Sequence, residues 1–235
     1  MPLDTQQQPV GDPVPDWSPR PLPVPTLLHG RHVRLEPLGP EHVPALLAHV
    51  CSPDDEPLWT YRSVDRPRSE EDLLSLVLAE VEHPTTQTFA VCPQGGDARG
   101  LVSLMRPDPA SGVVEIGGVL HARPVQRTPA TTETVHLLLR HAFDDLGYRR
   151  VEWKCDSLNE PSRAAARRLG FTYEGRFRQH LVMKGRNRDT DWFAVVDRDW
   201  PAVRRALEAW LGPDNFDQAG RQRVALGTLT SPLLA

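Results

Sequence analysis

The sequence predicts one domain of the α/β (α+β) class, and three observations carry that prediction. Short strand-type runs alternate with amphipathic helical runs. Runs at 88–91, 100–104 and 113–120 follow one another through Gly, Pro and Asp turns, as in a meander. The 235 residues leave room for one full core plus tails. About six to seven strands are expected.

Along the chain, residues 1–26 hold Pro2, Pro9, Pro13, Pro15, Pro19, Pro21, Pro23 and Pro25, which remove backbone donors and predict an extended, poorly ordered lead-in. A tail that packs loosely on the domain or on a partner subunit is the plain interpretation, and a proline-recognition ligand is the alternative. Residues 32–37 alternate apolar and polar as a half-buried strand, and Val43, Leu46, Leu47 and Val50 then take helical spacing. A loop at 57–62 carries Trp59 and Tyr61. Ser69, followed by Glu70, Glu71 and Asp72, caps a second helix bearing Leu73, Leu74, Val77, Leu78 and Val81.

After the meander, Val135, Leu138, Ala142 and Leu146 predict a helix over 131–146 that Gly147 ends. A strand follows at 149–155. Asn159 caps a short alanine-rich helix with Pro161 in its first turn, and Gly170 lets the chain leave it toward another strand. A strand at 191–196 precedes a helix that Asp199 caps and that carries Val203, Ala206, Leu207 and Trp210 on one face. Beyond Gly212 the signal fades. The expected organisation is a domain at 27–212, a proline-rich extension at 1–26 and a tail at 213–235.

The 27 basic and 31 acidic residues give a formal charge of −4, which argues against a binder driven by nucleic-acid phosphates. Cys51, Cys92 and Cys155 are too scattered for a disulfide framework or a zinc site, and the histidines lack a ligand spacing, so no metal is expected. With no apolar leader and no membrane-length apolar run, a soluble cytoplasmic protein is expected, with no membrane partner. The oligomeric state stays open, a homodimer among the possibilities.

Four features suggest chemistry. Glu115 interrupts an apolar strand, where a charge is costly unless paired or cleft-facing; it is either a general base or an ion-paired carboxylate. Gly117 and Gly118 directly after it permit a bulge. Gln126, Arg127, Thr128, Pro129, Ala130 and Thr131 feed a helix N-terminus suited to a phosphate, although alone they read as a capped helix. On the alanine-rich helix, Ser162, Ala165, Ala166 and Leu169 share a face; the alanines leave a shallow wall, with the Asn159 amide and Ser162 hydroxyl at its mouth.

The stretch N-E-P-S-R-A-A-A-R-R-L-G-F-T-Y-E-G resembles the last helix and following strand of GCN5-related N-acetyltransferases (GNAT) of the RimJ/RimL-like branch. The resemblance extends back through Leu146 to Trp153 and forward through Lys184 to Thr190, and spans roughly 27–211. It implies the GNAT fold, a central mixed, mostly antiparallel sheet flanked by helices. The implied activity is direct transfer of acetyl from acetyl-CoA to an amine-bearing acceptor, a protein N-terminus or a small molecule. The alternative is a non-catalytic acyl-CoA-binding domain.

By the same resemblance, Glu115 is the base, Ser162 protonates the leaving thiolate, and Asn159 orients the pantetheine. Val119 and Leu120 lie where the pantetheine meets exposed backbone, Ala165 lines the cofactor, and the Gln126 to Thr131 loop takes the pyrophosphate. That loop departs from the family's Q/R-x-x-G-x-G/A, because Pro129 stands for the central glycine and Thr131 for the last residue. The Thr128 and Thr131 hydroxyls are candidates to replace the lost donor. Arg163, Arg167, Arg168, Arg176 and Arg178 form a positive set that either meets a cofactor phosphate or is solvated. The acceptor is expected between the Trp59/Tyr61 loop and a hairpin containing Arg178.

Overall fold

Eight strands form one sheet in the computed structural model, which describes residues 2–234, with Met1 and Ala235 outside it. In chain order the elements are β1 (Leu28–His29), β2 (Val33–Pro37), α1 (Val43–Val50), α2 (Glu70–Val81), β3 (Gln87–Pro93), β4 (Gly100–Asp108) and β5 (Val113–His121). They continue with α3 (Pro129–Arg140), β6 (Arg150–Asp156), α4 (Glu160–Arg168), β7 (Thr172–Met183), β8 (Arg186–Val196), α5 (Trp200–Leu211) and α6 (Leu226–Thr230). The sheet order is β1-β2-β3-β4-β5-β6-β8-β7. The strand beyond the expected six to seven is β1, whose two residues are too few to show alternation.

The meander is antiparallel from β1 to β5, whereas β5 and β6 run parallel with α3 as the crossover. β7 and β8 form a hairpin whose two turn residues, Lys184 and Gly185, both have positive φ (49° and 70°), the conformation a tight hairpin favours. That hairpin places β8 against β6 and leaves β7 at the edge.

Each sheet face has its own core. One packs α3, α4, α5 and α6 around Val114, Ile116, Val151, Trp153 and Phe193; the other packs α1 and α2 around Ala90, Cys92 and Leu101. Leu138 and Leu139 on α3 are fully buried, each contributing about 1.5–3 kcal/mol by the area rule. α3 is also fixed by charge: the buried Glu133 carboxylate accepts the backbone N–H groups of Arg31, His32 and Val33 at 2.9, 2.6 and 3.1 Å. A Cβ at Gly30 would come within 2.4 Å of that carboxylate, so the β1–β2 turn needs glycine there.

The Ser69 cap forms as expected, accepting Asp72 N–H at 3.1 Å. Asp199 supplies no side-chain cap; its backbone carbonyl accepts instead. The helix expected over 131–146 ends as α at Arg140 and continues as a π turn over His141–Asp145, where Leu146 N–H reaches the His141 carbonyl.

The flanking segments differ from the expected lead-in and tail. Trp17 Nε1 donates to the Ala110 carbonyl, Arg20 N–H to Pro109, and Tyr148 OH to Pro21, so the proline-rich segment lies hydrogen-bonded along the β4–β5 turn and the start of β6. Prolines lack donors but keep carbonyls, and Pro21 accepts here. Past Gly212, α6 buries Leu226, and Thr230 donates to the Arg168 carbonyl, bracing the end of α4.

Candidate active site

β5 and β6 pair only at Val113↔Arg150, Val114↔Val151 and Glu115↔Glu152, although β5 continues to His121 and β6 to Asp156. Beyond Glu115 the strands therefore face each other across an open wedge with unpaired peptide edges. Within the unpaired stretch β5 also bulges: the β4–β5 register shifts between Leu101 and Ser103, and Gly118 has φ +62°. Val119 is half-buried and Leu120 buried on the β5 side of this wedge.

At the wedge's apex Glu115 is 3% exposed, with its carboxylate 2.9 Å from Arg106 Nη1 and 3.1 Å from Lys154 Nζ. Lys154 also lies 2.7 Å from Glu152 and 3.9 Å from the Trp192 ring centroid. Of the two alternatives for Glu115, the ion-paired carboxylate is present, on the face of the sheet that α1 and α2 cover farther along, at β3 and β4.

α3 begins at Pro129 directly behind the wedge, with Thr128 as its N-cap residue and no side-chain cap. Among the described residues, no acceptor takes the N–H groups of Ala130 or Thr131, which are free for an anion. Pro129 occupies the first helical position, where its missing N–H costs least. The threonine hydroxyls do not replace that donor: Thr128 Oγ1 donates to the Val125 carbonyl at 2.7 Å and Thr131 Oγ1 to Thr128 at 3.0 Å. Gln126 Nε2 likewise donates to the His121 carbonyl, and Arg127 has φ +60°, so side-chain bonds hold the loop in a conformation that costs an L-residue about 1–2 kcal/mol.

α4 closes the other side. Asn159 Oδ1 accepts Ser162 N–H at 3.2 Å as the cap, leaving the amide nitrogen to donate outward. Trp153 Nε1 donates to Ser162 Oγ at 3.0 Å, so one lone pair of the hydroxyl is taken, and the hydroxyl is also within hydrogen-bonding reach of the Cys155 sulfur. Cys155 stands beside it, its thiol pushed up to about 11 by burial and so neutral at physiological pH. Ala165 is half-buried and Ala166 fully buried.

Residues 32–172 match the family model described as an acetyltransferase (GNAT) domain. A crystal structure of a GCN5-related N-acetyltransferase from Brucella melitensis superposes with TM-score 0.90 at 43% identity, covering 93% of this chain and all of that one. The chain belongs to the GNAT acetyltransferase family. It is also 30% identical over 105 residues to YdaF of Bacillus subtilis, named as a candidate ribosomal N-acetyltransferase; that match spans 45% of this chain and 57% of YdaF. RimL, a ribosomal L7/L12 α-N-protein acetyltransferase, shares the fold at TM-score 0.64 and 22% identity, over 73% of this chain and 94% of its own. The RimJ/RimL-like resemblance is borne out, and the GNAT family is one of acetyl-CoA-dependent enzymes.

On the side of this GNAT domain opposite α3 and α4, the loop between α1 and α2 reaches across the wedge. Tyr61 OH donates to the Leu158 carbonyl at 3.0 Å, Arg62 Nη1 to the Gly118 carbonyl at 2.5 Å, and Lys184 Nζ to the Trp59 carbonyl at 2.9 Å. The Trp59 side chain is not part of this surface: it is 1% exposed, its indole N–H bonded to Val50. Arg178 lies farther out on the hairpin, exposed beside Gln179, Asn187 and Asp189.

The five arginines separate. Arg163 and Arg176 grip the buried Asp191, and Arg167 stacks near Tyr173 and Phe193. Arg168 is the exception, half-buried, its Nη1 donating only to Thr132 Oγ1 in the first turn of α3; burial lowers its pKa. A cation at the end of α4, beside the open α3 N-terminus, suits a phosphate. Among the described residues, one His/Cys/carboxylate group, Glu36, His42 and Cys92, brings its ligand atoms within 4.8 Å. It caps the turn into α1 on the far side of the sheet, where Glu36 also pairs with Arg34. Sequence reasoning missed Lys154, Arg106 and Arg62; for Lys154 the signal was present, because it shares a face with Glu152 at i, i+2.

Proposed function

We propose that this GNAT domain transfers acetyl from acetyl-CoA to an α-amine, of a protein N-terminus or a small molecule. The observation that carries the proposal is the wedge between β5 and β6, bounded by the uncapped α3 N-terminus and by Asn159 and Ser162 on α4. Ala130 and Thr131 N–H with Arg168 would hold the pyrophosphate region. The unpaired edge around Val119 and Leu120 would hold the pantetheine, and Ala165 would flank it. Bound there, acetyl-CoA supplies the activated thioester.

The acceptor enters from the face that carries α1 and α2, past Tyr61, with Arg178 on the rim. Glu115 draws the proton from the incoming ammonium, directly or through water, and Ser162 offers its hydroxyl proton to the departing thiolate. An α-amine has pKa near 7.7–8.0 against about 10.4 for a lysine side chain, so at neutral pH it needs about 3.5 kcal/mol less help. The exposed β7 edge, with Phe177, Leu181 and Val182, suits a second copy, and three buried free cysteines suit a reducing cytoplasm.

A free-thiol release assay with acetyl-CoA against peptides, amino acids, polyamines and aminoglycosides tests this. Thiol release with α-amines supports the proposal. Binding of acetyl-CoA without release on any amine would instead support a non-catalytic acyl-CoA-binding domain.

A further inference from the structure

Arg62 is a cation without a counter-ion beside the wedge. Its neighbours on the α1–α2 loop are matched: Arg66 lies 2.8 Å from Glu56, and Asp65 lies 3.1 Å from Lys184. Arg106 and Arg150 on the open face are likewise paired, with Glu115 and with Glu152 and Glu174. Arg62 has only the Nη1 bond to the Gly118 carbonyl; its Nε is buried with no partner, and no carboxylate lies within ion-pair distance among the described residues. The guanidinium sits 5.3 Å from the Trp59 ring centroid. Burial lowers its pKa, and the acidic group that counteracts this, Glu80, already accepts Thr88 Oγ1 at 2.7 Å.

The position of this unmatched charge is informative. Gly118 lies at the β4–β5 bulge, three residues past the last β5–β6 pair, and Tyr61, one residue before Arg62, bonds Leu158 on the far wall. The edge of the guanidinium not committed to Gly118 carries two parallel donors, Nη2 and the buried, unpartnered Nε, and a carboxylate that reached both would match them as a neutral amide does not.

We propose that Arg62 makes this enzyme select acceptors that carry a carboxylate close to the amine being acetylated. The proposal rests on the acetyl-transfer function above and narrows its substrate class. The carboxylate belongs either to a free amino acid or to an acidic residue at a peptide N-terminus; the shared chemistry is a carboxylate a few bonds from an α-amine.

Matched acceptor pairs test this with the full chain at saturating acetyl-CoA. One arm compares free amino acids with their carboxamides; the other compares amidated tetrapeptides that begin with Asp or Glu against those that begin with Asn or Gln. The expected result is at least a thirtyfold higher kcat/KM for the carboxylate member in one arm, which also identifies its source. Arg62→Met should collapse that ratio to within threefold through KM for the acceptor, with Arg62→Lys intermediate. Where Arg62→Met fails to fold, Arg62→Gln serves with the same readout. Equal use of both members by the native enzyme overturns the proposal. So does an equal loss on both, or a raised KM for acetyl-CoA, since Arg62 would then serve the bulge or the cofactor. Absence of transfer to every amine, with acetyl-CoA still bound, overturns the acetyl-transfer function itself.

Discussion

Lys154 Nζ bridges two carboxylates, 3.1 Å from Glu115 and 2.7 Å from Glu152, and so ties the last paired rung of the parallel β5–β6 ladder together with charge. Glu115→Gln keeps the shape and removes the charge, and should lower kcat by about a hundredfold or more if the carboxylate draws the acceptor proton. Thiol release with acceptor in excess measures it. An unchanged turnover number would falsify the base assignment. Lys154→Met should lower both activity and thermal midpoint, because Glu115 is then buried with Arg106 as its sole ion-pair partner.

Ser162→Ala is expected to lower kcat by less than about tenfold, since a thiolate with pKa near 8–9 leaves with little acid assistance. Stability should fall by about 1 kcal/mol, as the Trp153 indole N–H loses its acceptor. Urea unfolding alongside steady-state kinetics separates the two effects.

Asp191 is fully buried between Arg163 and Arg176, and the hydrogen bonds from Arg176 hold its carboxyl below the ordinary range against the opposing effect of burial. A lowered folded-state pKa means that the stabilisation is present above the ordinary value of 3.8 and is lost as pH falls through the folded value. Asp191→Ala should cost about 3 kcal/mol near neutral pH and flatten the acid limb of the stability curve. Denaturant titrations between pH 7 and about pH 2.5 give the comparison.

His121 ends β5, and burial pushes its pKa down from 6.5 to about 4. The unfolded chain then binds a proton that the folded chain refuses, so stability falls as pH drops from about 6.5 to about 4, by up to about 3 kcal/mol. His121→Gln should remove most of that slope. Unfolding midpoints at pH 7 and pH 5 check it, and an identical pH dependence in the variant would exclude His121 as the source.

Locally encoded features were legible in the sequence. Ser69 with Asp72, and Asn159 before Pro161, announce helix starts through side chains within four residues of one another, and both caps form. The strand bearing Glu115 was readable because one charge broke an apolar run. What stayed hidden depends on contacts far apart in sequence. The Arg106 and Lys154 partners of Glu115 come from two other strands, and Trp59 looks like cleft surface until α1 and α2 bury it. Arg62 carries no local mark at all, since being unpaired is a property of its surroundings. The proline-rich segment is extended, as its composition implies, while Trp17 and Tyr148 anchor it by contacts that no periodicity reveals.

The wedge between β5 and β6 is, in effect, an edge strand kept indoors. Open peptide edges at the rim of a sheet invite pairing with any exposed strand, which is a route to aggregation. Here the unpaired edges lie between the α3 N-terminus and α4, with Tyr61 bonded across to Leu158. On the proposed function, a slender, unbranched chain with its own amides would lie in this gap, which would make width the first criterion of recognition. Such a ligand would complete the sheet, and its binding should raise the melting temperature with its concentration, by about 2.7 kcal/mol of stability at a hundred times Kd.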